Sequence, residues 1–524
     1  MCREIDISKI KLDYDIWGIN DKLYYYKFGL LPWQRLNNIT FIIVSDIDHL
    51  VIRWLKGKYS NNFILFKSDY NKIISSLNAF FGYIEFSTNY LYYKNDKFSA
   101  KDIKFGTITY VIFTLLISIL ALTKGFAAVS LLIILFISAS STLFRYIIIL
   151  LGFCNKKASS KYKDGNELPV YTILLPILNE NKVIKQLIDN INNIDYPKSK
   201  LDIKLIIEED DKETIWNLKE FNLPENFETI IVPNSFPKTK SKACNYALCF
   251  SKGEYVVIYD ADDIPDPLQL KKALAEFKQG DSKLACVQAK LGYYNYDCNL
   301  LTKFFSLEYI SWFHYLLRGM QKINIPIPLG GSSNHFRMEA LKKVYLWDAY
   351  NVTEDADLGL RLAAMGYYTK VIDSETLEES PINIFAWIKQ RARWIKGYVK
   401  TYIVHMKNLK QLYKATGLKG ILLLNLFVGS TAFTFFTTPF LFTSLILVQY
   451  LNQVFLYYLT FMYIINTVTL FAIIKEKKMK ANFYLLAVIF PIYWLLHSVA
   501  SAIALWELIK SPQRWNKTKH GFHL

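Results

Sequence analysis

A chain of 524 residues in which 52% are hydrophobic and only 20% are charged is too apolar to be a wholly soluble protein. The aromatic content of 16% and the mean hydropathy of +0.15 exclude a disordered, collagen-like or nucleic-acid-tail protein, so part of the chain is expected to lie in lipid. The formal net charge of +17 indicates loops held at the cytoplasmic face of a membrane rather than nucleic-acid binding.

The first 104 residues are polar enough to form a soluble domain. Apolar runs at residues 41–45 and 63–66 alternate with helix-like stretches at residues 51–58 and 70–81. Short apolar runs between helical segments are typical of strands, so this part of the chain predicts a small βαβα unit.

Two long apolar regions, residues 105–153 and 419–509, predict membrane spans. The first is interrupted only by Lys124 and Gly125, and it is long enough for two crossings. The predicted spans are residues 106–122, 127–152, 420–446 and 453–474.

The basic loops predict the topology, because short basic loops stay in the cytoplasm. Residues 1–104 and 154–417 are then cytoplasmic, as are the basic loop 475–480 and the basic tail 510–524. One plain crossing over residues 482–508 would put that tail outside. Since this stretch carries Pro491 and His497, we expect a hairpin, or a re-entrant piece with an interfacial helix, rather than one straight helix.

Between the two apolar regions, short β-rich runs alternate with amphipathic helical segments, which favours a mostly parallel α/β sheet. Acidic clusters follow three apolar runs: Glu208-Glu209-Asp210-Asp211, Asp260-Ala261-Asp262-Asp263, and Glu354-Asp355 with Asp357. Ligands of open α/β sheets bind at the carboxyl ends of strands, so we expect these clusters to face one crevice.

The second cluster is the best candidate for a metal site. Asp260 and Asp262, separated by one small residue, suit a hard divalent cation that bridges the phosphates of a nucleotide. An isolated pair of this kind is more often a solvated acidic turn that starts a helix at Pro265. The interpretation therefore depends on the rest of the chain.

A basic and aromatic segment, residues 382–418, precedes the second apolar region. At helical period it places Trp387, Arg391 and Trp394 near one face, and Lys389, Arg393 and Lys396 near another, which is typical of a helix in a membrane interface. Together with the acidic clusters, Arg393 suggests neutralisation of a leaving diphosphate, and Trp394 offers a flat apolar face to a sugar ring.

Seven motifs in this order resemble a family 2 glycosyltransferase of the membrane-embedded, cellulose-synthase-like kind, over residues 165–415. They are P-I-L-N-E (176–180), E-E-D-D (208–211), K-x-K-A-x-N-Y-A-L (240–248), D-A-D (260–262), G-G-S-S-N-H-F-R (330–337), T-E-D (353–355) and Q-R-A-R-W (390–394). The resemblance implies an α/β GT-A catalytic domain with a Rossmann-like mixed sheet, a nucleotide-diphosphate sugar donor, and inverting transfer by one displacement.

The resemblance also implies a role for each matching residue. Asp210 or Asp211 would contact the nucleotide base, with Glu180 and Lys242 as further donor-site candidates. Asp260 and Asp262 would hold Mg²⁺ or Mn²⁺ and the diphosphate. Asp355, with Glu354 beside it, would take the proton from the acceptor hydroxyl. The residues that would line the acceptor and diphosphate site are Gln390, Arg393 and Trp394. The E-E-D-D cluster departs from the family's D-D-x-S, which leaves open which carboxylate contacts the base.

The chemistry of an inverting displacement agrees with these assignments. It requires one general base opposite the leaving group, a cation that absorbs the diphosphate charge, and no second nucleophile. The acidic clusters supply this set, and the proximity of Glu354 raises the basicity of Asp355. Thr353 as a helix N-cap is compatible with that role.

Residues 29–46 of the N-terminal region resemble the small N-terminal domain of secretion ATPases, which is also attached to some bacterial membrane glycosyltransferases. Some relatives of that domain bind cyclic di-GMP, so the resemblance allows this ligand. It equally allows a protein-docking or purely structural module.

The leading hypothesis is a bacterial cell-membrane glycosyltransferase that uses a nucleotide sugar, expected to be a UDP-sugar, to extend a polysaccharide at the cytoplasmic face. Its predicted partners are the donor, a growing glycan or lipid acceptor, membrane lipids, and an export or regulatory partner, with no nucleic acid. One alternative is a single transfer to a polyprenyl phosphate or another lipid; a second is an inactive membrane receptor or scaffold. The predicted regions are 1–104 (N-terminal domain), 105–153 (two spans), 154–381 (catalytic domain), 382–418 (interfacial helices), 419–509 (membrane region) and 510–524 (tail).

Overall fold

The computed structural model describes most of the chain. The described residues are 3–7, 10–18, 21–47, 49–81, 98–101, 103, 124–154, 168–178, 183–221, 223–447 and 452–511. Contacts between Cα atoms divide the chain into two units, Met1–Tyr90 and Leu91–Leu524. The finer division of the second unit stays a prediction.

In its described residues, the first unit has a four-stranded sheet and three α-helices. Its strands are β1 (Arg3–Glu4), β2 (Leu30–Leu36), β3 (Ile39–Val44) and β4 (Phe63–Lys67), in the order β1-β4-β3-β2. Its helices are α1 (Lys22–Phe28), α2 (His49–Tyr59) and α3 (Tyr70–Phe81). The predicted β3-α2-β4-α3 unit is therefore present. Its core includes Tyr25, Ile42, Leu55 and Ile73, all inaccessible to solvent.

The second unit contains an eight-stranded mixed sheet. Its strands are β5 (Tyr171–Ile177), β6 (Leu201–Glu208), β7 (Phe227–Val232), β8 (Tyr255–Ile258), β9 (Ile264–Pro265), β10 (Leu284–Tyr293), β11 (Asn334–Arg337) and β12 (Tyr368–Glu378). The order is β7-β6-β5-β8-β11-β10-β12-β9. β5 to β8 are mutually parallel, whereas β11 runs antiparallel to both of its neighbours. This confirms the predicted mixed α/β sheet.

The direction of these strands fixes where the acidic clusters lie. β6 and β8 are fully buried, because their apolar residues are covered on both faces by helices. Both strands run in the same direction, so Glu208 at the end of β6 and Asp260 just after β8 come to the same edge of the sheet. The expectation that these two clusters meet at one crevice is confirmed.

Helices connect the strands and extend from the sheet to the membrane region. They are α5 (Ile184–Asn192), α6 (Lys212–Glu220), α7 (Lys240–Leu248), α8 (Gln269–Gln279), α9 (Leu300–Ile310), α10 (Leu317–Lys322), α11 (Met338–Lys343), α12 (Glu354–Ala364), α13 (Ile384–Lys407) and α14 (Leu409–Thr416), with α4 (Lys124–Phe153) preceding the sheet. A π-helical turn, Ser311–Leu316, joins α9 to α10.

Four helical stretches in the described part of the chain are long and apolar enough to cross a membrane: Leu132–Phe153, Leu418–Thr438, Leu456–Glu476 and Phe490–Lys510. The first is part of α4. The others belong to α15 (Leu418–Leu423) with α16 (Ser430–Leu447), α17 (Asn452–Glu476) and α19 (Phe490–Lys510). They agree with the predicted spans at 127–152, 420–446 and 453–474. The span predicted at 106–122 lies outside the described residues.

The prediction of a hairpin or re-entrant piece at residues 482–508 is wrong. A short helix, α18 (Asn482–Val488), ends at Ile489, and α19 then continues without a break to Lys510. Pro491 lies in the first turn of α19, where its missing N–H and fixed φ favour a helix start. His497 does not interrupt the helix, because its Nδ1 lies 3.2 Å from the Tyr493 carbonyl of the preceding turn.

A second π-helical turn, Leu424–Gly429, joins α15 to α16. Trp312 in the first π turn and Phe427 in the second pack with ring centroids 5.3 Å apart. π turns inside α-helices are frequent at functional sites. These two meet where the helices of the sheet region pack against the membrane helices.

Candidate active site

One cavity of about 450 Å³ lies at the carboxyl edge of the sheet. It brings together Asp210, Asp260, Asp262, Glu354, Asp355, Gln390, Arg393 and Trp394. Arg145 of α4, Thr431 and Phe435 of α16, and His497 of α19 also line it. The cavity therefore extends from the acidic clusters to the membrane helices.

The D-x-D segment forms one wall of the cavity. Asp260 pairs with Lys240, whose Nζ lies 2.6 Å from the Asp260 carboxylate. Asp262 is buried, and its Oδ2 accepts a hydrogen bond from the Glu379 N–H at 2.9 Å. Asp263 accepts hydrogen bonds from the Ser332 hydroxyl and the Asp260 N–H. Asp260 and Asp262 thus line the cavity, whereas Asp263 stabilises the turn that carries them.

The charge around this segment suits a divalent cation. Burial and the charges of Asp260 and Asp262 raise the pKa of Asp263 well above its usual value. Burial and the same carboxylates raise the pKa of Glu378, at the end of β12, in the same way. Within the described residues, no three His, Cys, Asp or Glu side chains are already gathered as a complete metal site. Oxygen donors crowded at one point fit a hard cation that completes its coordination with phosphate oxygens and water.

The T-E-D segment forms the opposite wall. Glu354 and Asp355 open α12, and both are buried. Burial first, and then the charge of Glu354, raise the pKa of Asp355 well above its usual value, while Lys240 opposes the shift. One oxygen of Asp355 has no hydrogen-bond partner among the described residues. A buried carboxylate of raised pKa with a free oxygen is suited to act as a general base.

Lys240 lies between the two acidic walls. Burial opposes its charge, yet the carboxylates of Asp260, Asp355 and Glu354 raise its pKa above the usual value. Its Nζ also donates to the Gly331 carbonyl at 2.6 Å. Lys240 therefore stays protonated and supplies a fixed positive charge at the centre of the cavity.

The Q-R-A-R-W segment lies in the first half of α13, and its side chains have different surroundings. Gln390, Arg393 and Trp394 line the cavity, and neither Gln390 Oε1 nor Arg393 Nε has a hydrogen-bond partner among the described residues. Buried polar atoms without partners are unusual and point to a ligand. Trp394 stacks on Tyr309 with ring centroids 6.2 Å apart, which fixes the plane of its indole.

The interfacial pattern predicted for α13 holds only in part. Lys389 is exposed, but Lys396 is fully buried and pairs with Glu507 of α19 at 2.8 Å. Arg391 is likewise buried, with its guanidinium over the Trp387 and Trp394 rings. A basic residue predicted on an open face is thus turned inward, because a carboxylate from a membrane helix is available to it.

The residues of the first acidic cluster, 208–211, also differ in their contacts. Glu208 lines the cavity and pairs with the buried Lys242 at 2.8 Å, so Lys242 reaches the site only through Glu208. Asp210 lines the cavity and pairs with Lys238, whereas Asp211 caps α6 by accepting from the Thr214 N–H. This favours Asp210 over Asp211 as a donor-site residue. Glu180 lies outside the described residues.

Several cavity residues were missed in the sequence. Glu378 ends β12 and Glu379 follows it, so the rule that acidic residues at strand ends mark the site would have found them. Lys240 belongs to the same K-x-K motif as Lys242, but only Lys242 was predicted as a donor-site residue. The other missed residues that line the cavity include Arg145, Tyr293, Glu308, Tyr309, Trp312 and Tyr398.

A buried ion network supports α13 at the membrane end of the cavity. Glu308 of α9 accepts from Arg391 at 2.5 Å and from the Tyr493 hydroxyl at 2.6 Å, and His497 Nε2 lies 3.6 Å away. Burial opposes the ionised form, yet Arg391 and His497 lower the pKa of Glu308 to about 2. The carboxylate is therefore ionised and compensates the Arg391 charge.

Replacing Glu308 with Gln should destabilise the protein by about 3 kcal/mol, because it leaves the Arg391 guanidinium buried without its counter-charge. Thermal unfolding in detergent measures the effect as a lower Tm. Glu339→Gln is the matched control, since Glu339 forms an exposed pair with Lys343 and should leave the Tm unchanged. Equal Tm values for both variants would contradict a stabilising role for Glu308.

Comparison with known proteins agrees with this site. Residues 255–474 match the family model "Glycosyl transferase family group 2". A probable glycosyltransferase, YdaM of Bacillus subtilis (strain 168), is 26% identical over 378 residues, which cover 68% of this chain and 89% of the relative. A probable glycosyltransferase of Sulfolobus acidocaldarius is 28% identical over 278 residues, covering 52% of this chain and 59% of the relative.

Two solved structures are also similar. The mannosyltransferase PcManGT from Pyrobaculum calidifontis, in complex with GDP-Man and Mn²⁺, has a TM-score of 0.48 at 17% identity, covering 73% of this chain and all of that one. S. aureus TarS 1–349 has a TM-score of 0.31 at 13% identity, covering 66% of this chain and 93% of that one.

The resemblance to the cellulose-synthase-like kind and the individual residue roles stay predictions, because the family model and the relatives name only a glycosyltransferase. The general assignment is firmer, since the matched residues contain both the D-x-D and the T-E-D segments of the cavity. Together, the family match over residues 255–474 and the two relatives support a family 2 glycosyltransferase.

Proposed function

We propose that this glycosyltransferase uses a nucleotide-diphosphate sugar to extend a polysaccharide at the cytoplasmic face of the membrane, with inversion at the anomeric carbon. The observation that carries the proposal is the single cavity that joins the acidic clusters to the membrane helices. An enzyme that releases a small soluble product has no need of such a connection.

The donor would lie along the carboxyl edge of the sheet. Asp210 would contact the base, while Asp260 and Asp262 would hold Mg²⁺ or Mn²⁺, which when bound neutralises the diphosphate as it leaves. Lys240 and Arg393 approach the same place from the other walls and add positive charge there. UDP is the donor nucleotide that we propose, and calorimetric titration of the protein with UDP, GDP and their sugars tests it.

The acceptor would lie between α12 and Trp394. Asp355 would remove the proton from its hydroxyl, and the hydroxyl oxygen would attack the anomeric carbon from the side opposite the diphosphate. In this cavity no second carboxylate is required as a nucleophile, because one displacement both forms the new bond and releases the diphosphate. The anomeric configuration is then inverted.

Part of the cavity lining has a composition that suits a growing chain. It combines aromatic rings with hydrogen-bonding groups: Arg145, Trp312, Tyr398, Thr431, Phe435 and His497. Rings that stack on sugars and polar groups that bond hydroxyls are what a passing glycan requires. This supports coupling of synthesis to export, although the enzyme needs only the first part of the passage to hold its acceptor.

The loop after α17 supports the cytoplasmic orientation. Lys477 Nζ lies 2.6 Å from His314 Nδ1 in the first π turn, and Lys480 pairs with Asp297. The basic loop 475–480 therefore lies on the same side as the catalytic sheet. By the charge rule for short loops, that side is the cytoplasm.

Replacing Trp394 with Ala should shorten the product or stop elongation, because the aromatic surface for the acceptor ring is lost while the acidic clusters remain. Limiting enzyme with excess radiolabelled donor, sampled over time and sized, measures product length. Tyr413→Ala, which removes an exposed ring on α14, is the control and should leave the product unchanged.

The parent enzyme should give long products early in the same time course. If the product at every time is a mono-glycosylated lipid that extracts into organic solvent, the enzyme makes a single transfer to a polyprenyl phosphate or another lipid. An absence of any transfer with every donor would instead favour the inactive receptor.

For the first unit, cyclic di-GMP binding stays a prediction, which titration of the full chain with the dinucleotide tests.

A further inference from the structure

We propose that Asp348 and the segment of residues 98–101, here called the strap, position the catalytic base Asp355. Asp348 is a positioning residue, since it acts through the loop of residues 347–351 that leads into T-E-D. The proposal rests on the proposed function, because it takes Asp355 as the base.

The strap is bound to Asp348 by hydrogen bonds. The Ala100 N–H donates to Asp348 Oδ2 at 2.6 Å, and the Ser99 hydroxyl donates to Oδ1 at 3.3 Å. The Tyr350 N–H donates to Oδ1 at 3.0 Å. Asp348 and Ala100 are inaccessible to solvent, and Phe98 and Ser99 are also buried. An ionisable side chain with no access to water is costly to keep unless its hydrogen bonds are complete, and these three donors supply them.

The other side of the 347–351 loop is held by α7. Asn245 exchanges two hydrogen bonds with the Trp347 backbone, at 2.8 Å to its carbonyl and 3.2 Å from its N–H. The Thr239 hydroxyl, at the N-cap of the same helix, donates to the Ala349 carbonyl at 3.0 Å. α7 also carries Lys240, so the loop is tied to the helix that supplies the central positive charge of the cavity.

The acceptor-side helix α13 holds the same loop. Lys400 Nζ donates to the Tyr350 carbonyl at 2.9 Å, and Asn351 Nδ2 donates to the Thr401 hydroxyl at 2.8 Å. All of these side chains are buried. Gly397 allows the close approach, since a Cβ there would lie 2.2 Å from the Thr353 hydroxyl. Asp355 and Trp394 are thereby held in fixed positions relative to each other.

The strap is also linked to α12 through His405 of α13. The Phe98 ring packs on the His405 ring with centroids 5.6 Å apart, and His405 Nε2 lies 3.0 Å from Asp357 Oδ1. Asp357 is two residues after Asp355 and pairs with Arg361 at 2.9 Å. The strap is therefore linked to the base segment at two points: directly at Asp348 before T-E-D, and through His405 of α13 at Asp357 in the first turn of α12.

This network is better explained by the need to position Asp355 than by a contribution to the stability of the folded protein. Buried polar networks contribute less stability than apolar packing of the same volume, and they are useful where one geometry must be kept. A general base must lie within hydrogen-bond reach of the acceptor hydroxyl, and a displacement of about 1 Å costs on the order of 100-fold in rate. The strap and the loop fix that distance from the side opposite the cavity.

The test uses Asp348→Asn and Ser99→Ala in the full-length protein in detergent, with turnover, donor affinity and Tm measured for each. Asn presents an N–H₂ group to a position that now accepts hydrogen bonds, so Asp348→Asn should lower kcat by about 10- to 100-fold while the donor Kd is unchanged. Ser99→Ala should lower kcat less, and Ser99→Thr, which keeps the hydroxyl, should restore it. Ser251→Ala, which removes a hydroxyl that donates to the Ala247 carbonyl one helical turn before it, is the control.

The outcomes separate the strap from the proposed function. If Asp348→Asn and Ser99→Ala both turn over as the parent does, the strap does not position the base. Parallel losses of kcat, donor affinity and Tm would show a general structural role and overturn the proposal as well. Asp355→Asn in the same assay decides the other question: if it stays active, the assignment of the base fails, whatever the strap variants do.

Discussion

Replacing Asp355 with Asn is expected to reduce sugar transfer by about 10²- to 10⁴-fold, the usual cost of losing a general base. Asn has nearly the same shape and keeps the hydrogen-bonding capacity of the site, but it cannot accept the acceptor proton. Donor binding should be kept, because the residues proposed to hold the nucleotide and diphosphate, Asp210, Asp260 and Asp262, are unchanged.

Transfer from radiolabelled donor and donor affinity by calorimetry measure the two parts of this prediction. Asp195→Asn is the control, since Asp195 forms a largely exposed pair with Lys271 and should leave both quantities unchanged. Near-normal turnover of Asp355→Asn with unaltered product stereochemistry would remove Asp355 as the base.

The same carboxylate predicts the acidic limb of the pH–rate profile. Burial and Glu354 raise the pKa of Asp355 well above its usual value, and only the ionised form acts as a base. Turnover should therefore be full above the raised pKa and fall as the pH drops through it, at a higher pH than an ordinary Asp would give. Measured kcat against pH, with donor saturating at each point, tests the sign and position of this limb.

Replacing Asp262 with Ala is expected to weaken donor binding in the presence of a divalent metal and to remove most metal stimulation. Loss even of an outer partner of a metal ligand costs about 10- to 100-fold in metal affinity, so loss of a ligand should cost at least as much. Donor affinity with and without Mg²⁺ or Mn²⁺ measures the effect.

Asp262→Asn separates the metal role from a local structural one. Asp262 also accepts from the Glu379 N–H, and an Asn oxygen can keep that hydrogen bond while the charge is lost. Both variants should lose metal stimulation alike if the carboxylate binds the cation. Metal stimulation equal to that of the parent in either variant would place the cation elsewhere.

The sequence alone determined the features that depend on local patterns. Apolar runs followed by acidic residues located Asp210, Asp260 and Asp262 at strand ends, because parallel strands bring their carboxyl ends to one edge. Three of the four described membrane spans were equally predictable from length and apolar content, whereas the continuous helix Phe490–Lys510 was not. T-E-D also reached the cavity as predicted, through the helix start that Glu354 and Asp355 form.

Only the tertiary structure decided which side chain of a helix faces the site. Lys240 and Lys242 are two residues apart on α7, so they point in different directions, and the packing of α7 turns Lys240 toward Asp260 and Lys242 toward Glu208. Helical period gives the angle between two residues, but it does not say which direction meets the sheet.

Long-range partners were beyond the sequence for a related reason. Lys396 pairs with Glu507, and Arg391 with Glu308, across many residues of chain. From the sequence alone, a basic residue is expected to be exposed. Its charge can be buried when a carboxylate distant in sequence pairs with it, and the neighbouring residues in sequence do not show that partner. The direction of the cavity toward the membrane helices likewise follows from how α4, α13, α16 and α19 pack together, which no local pattern contains.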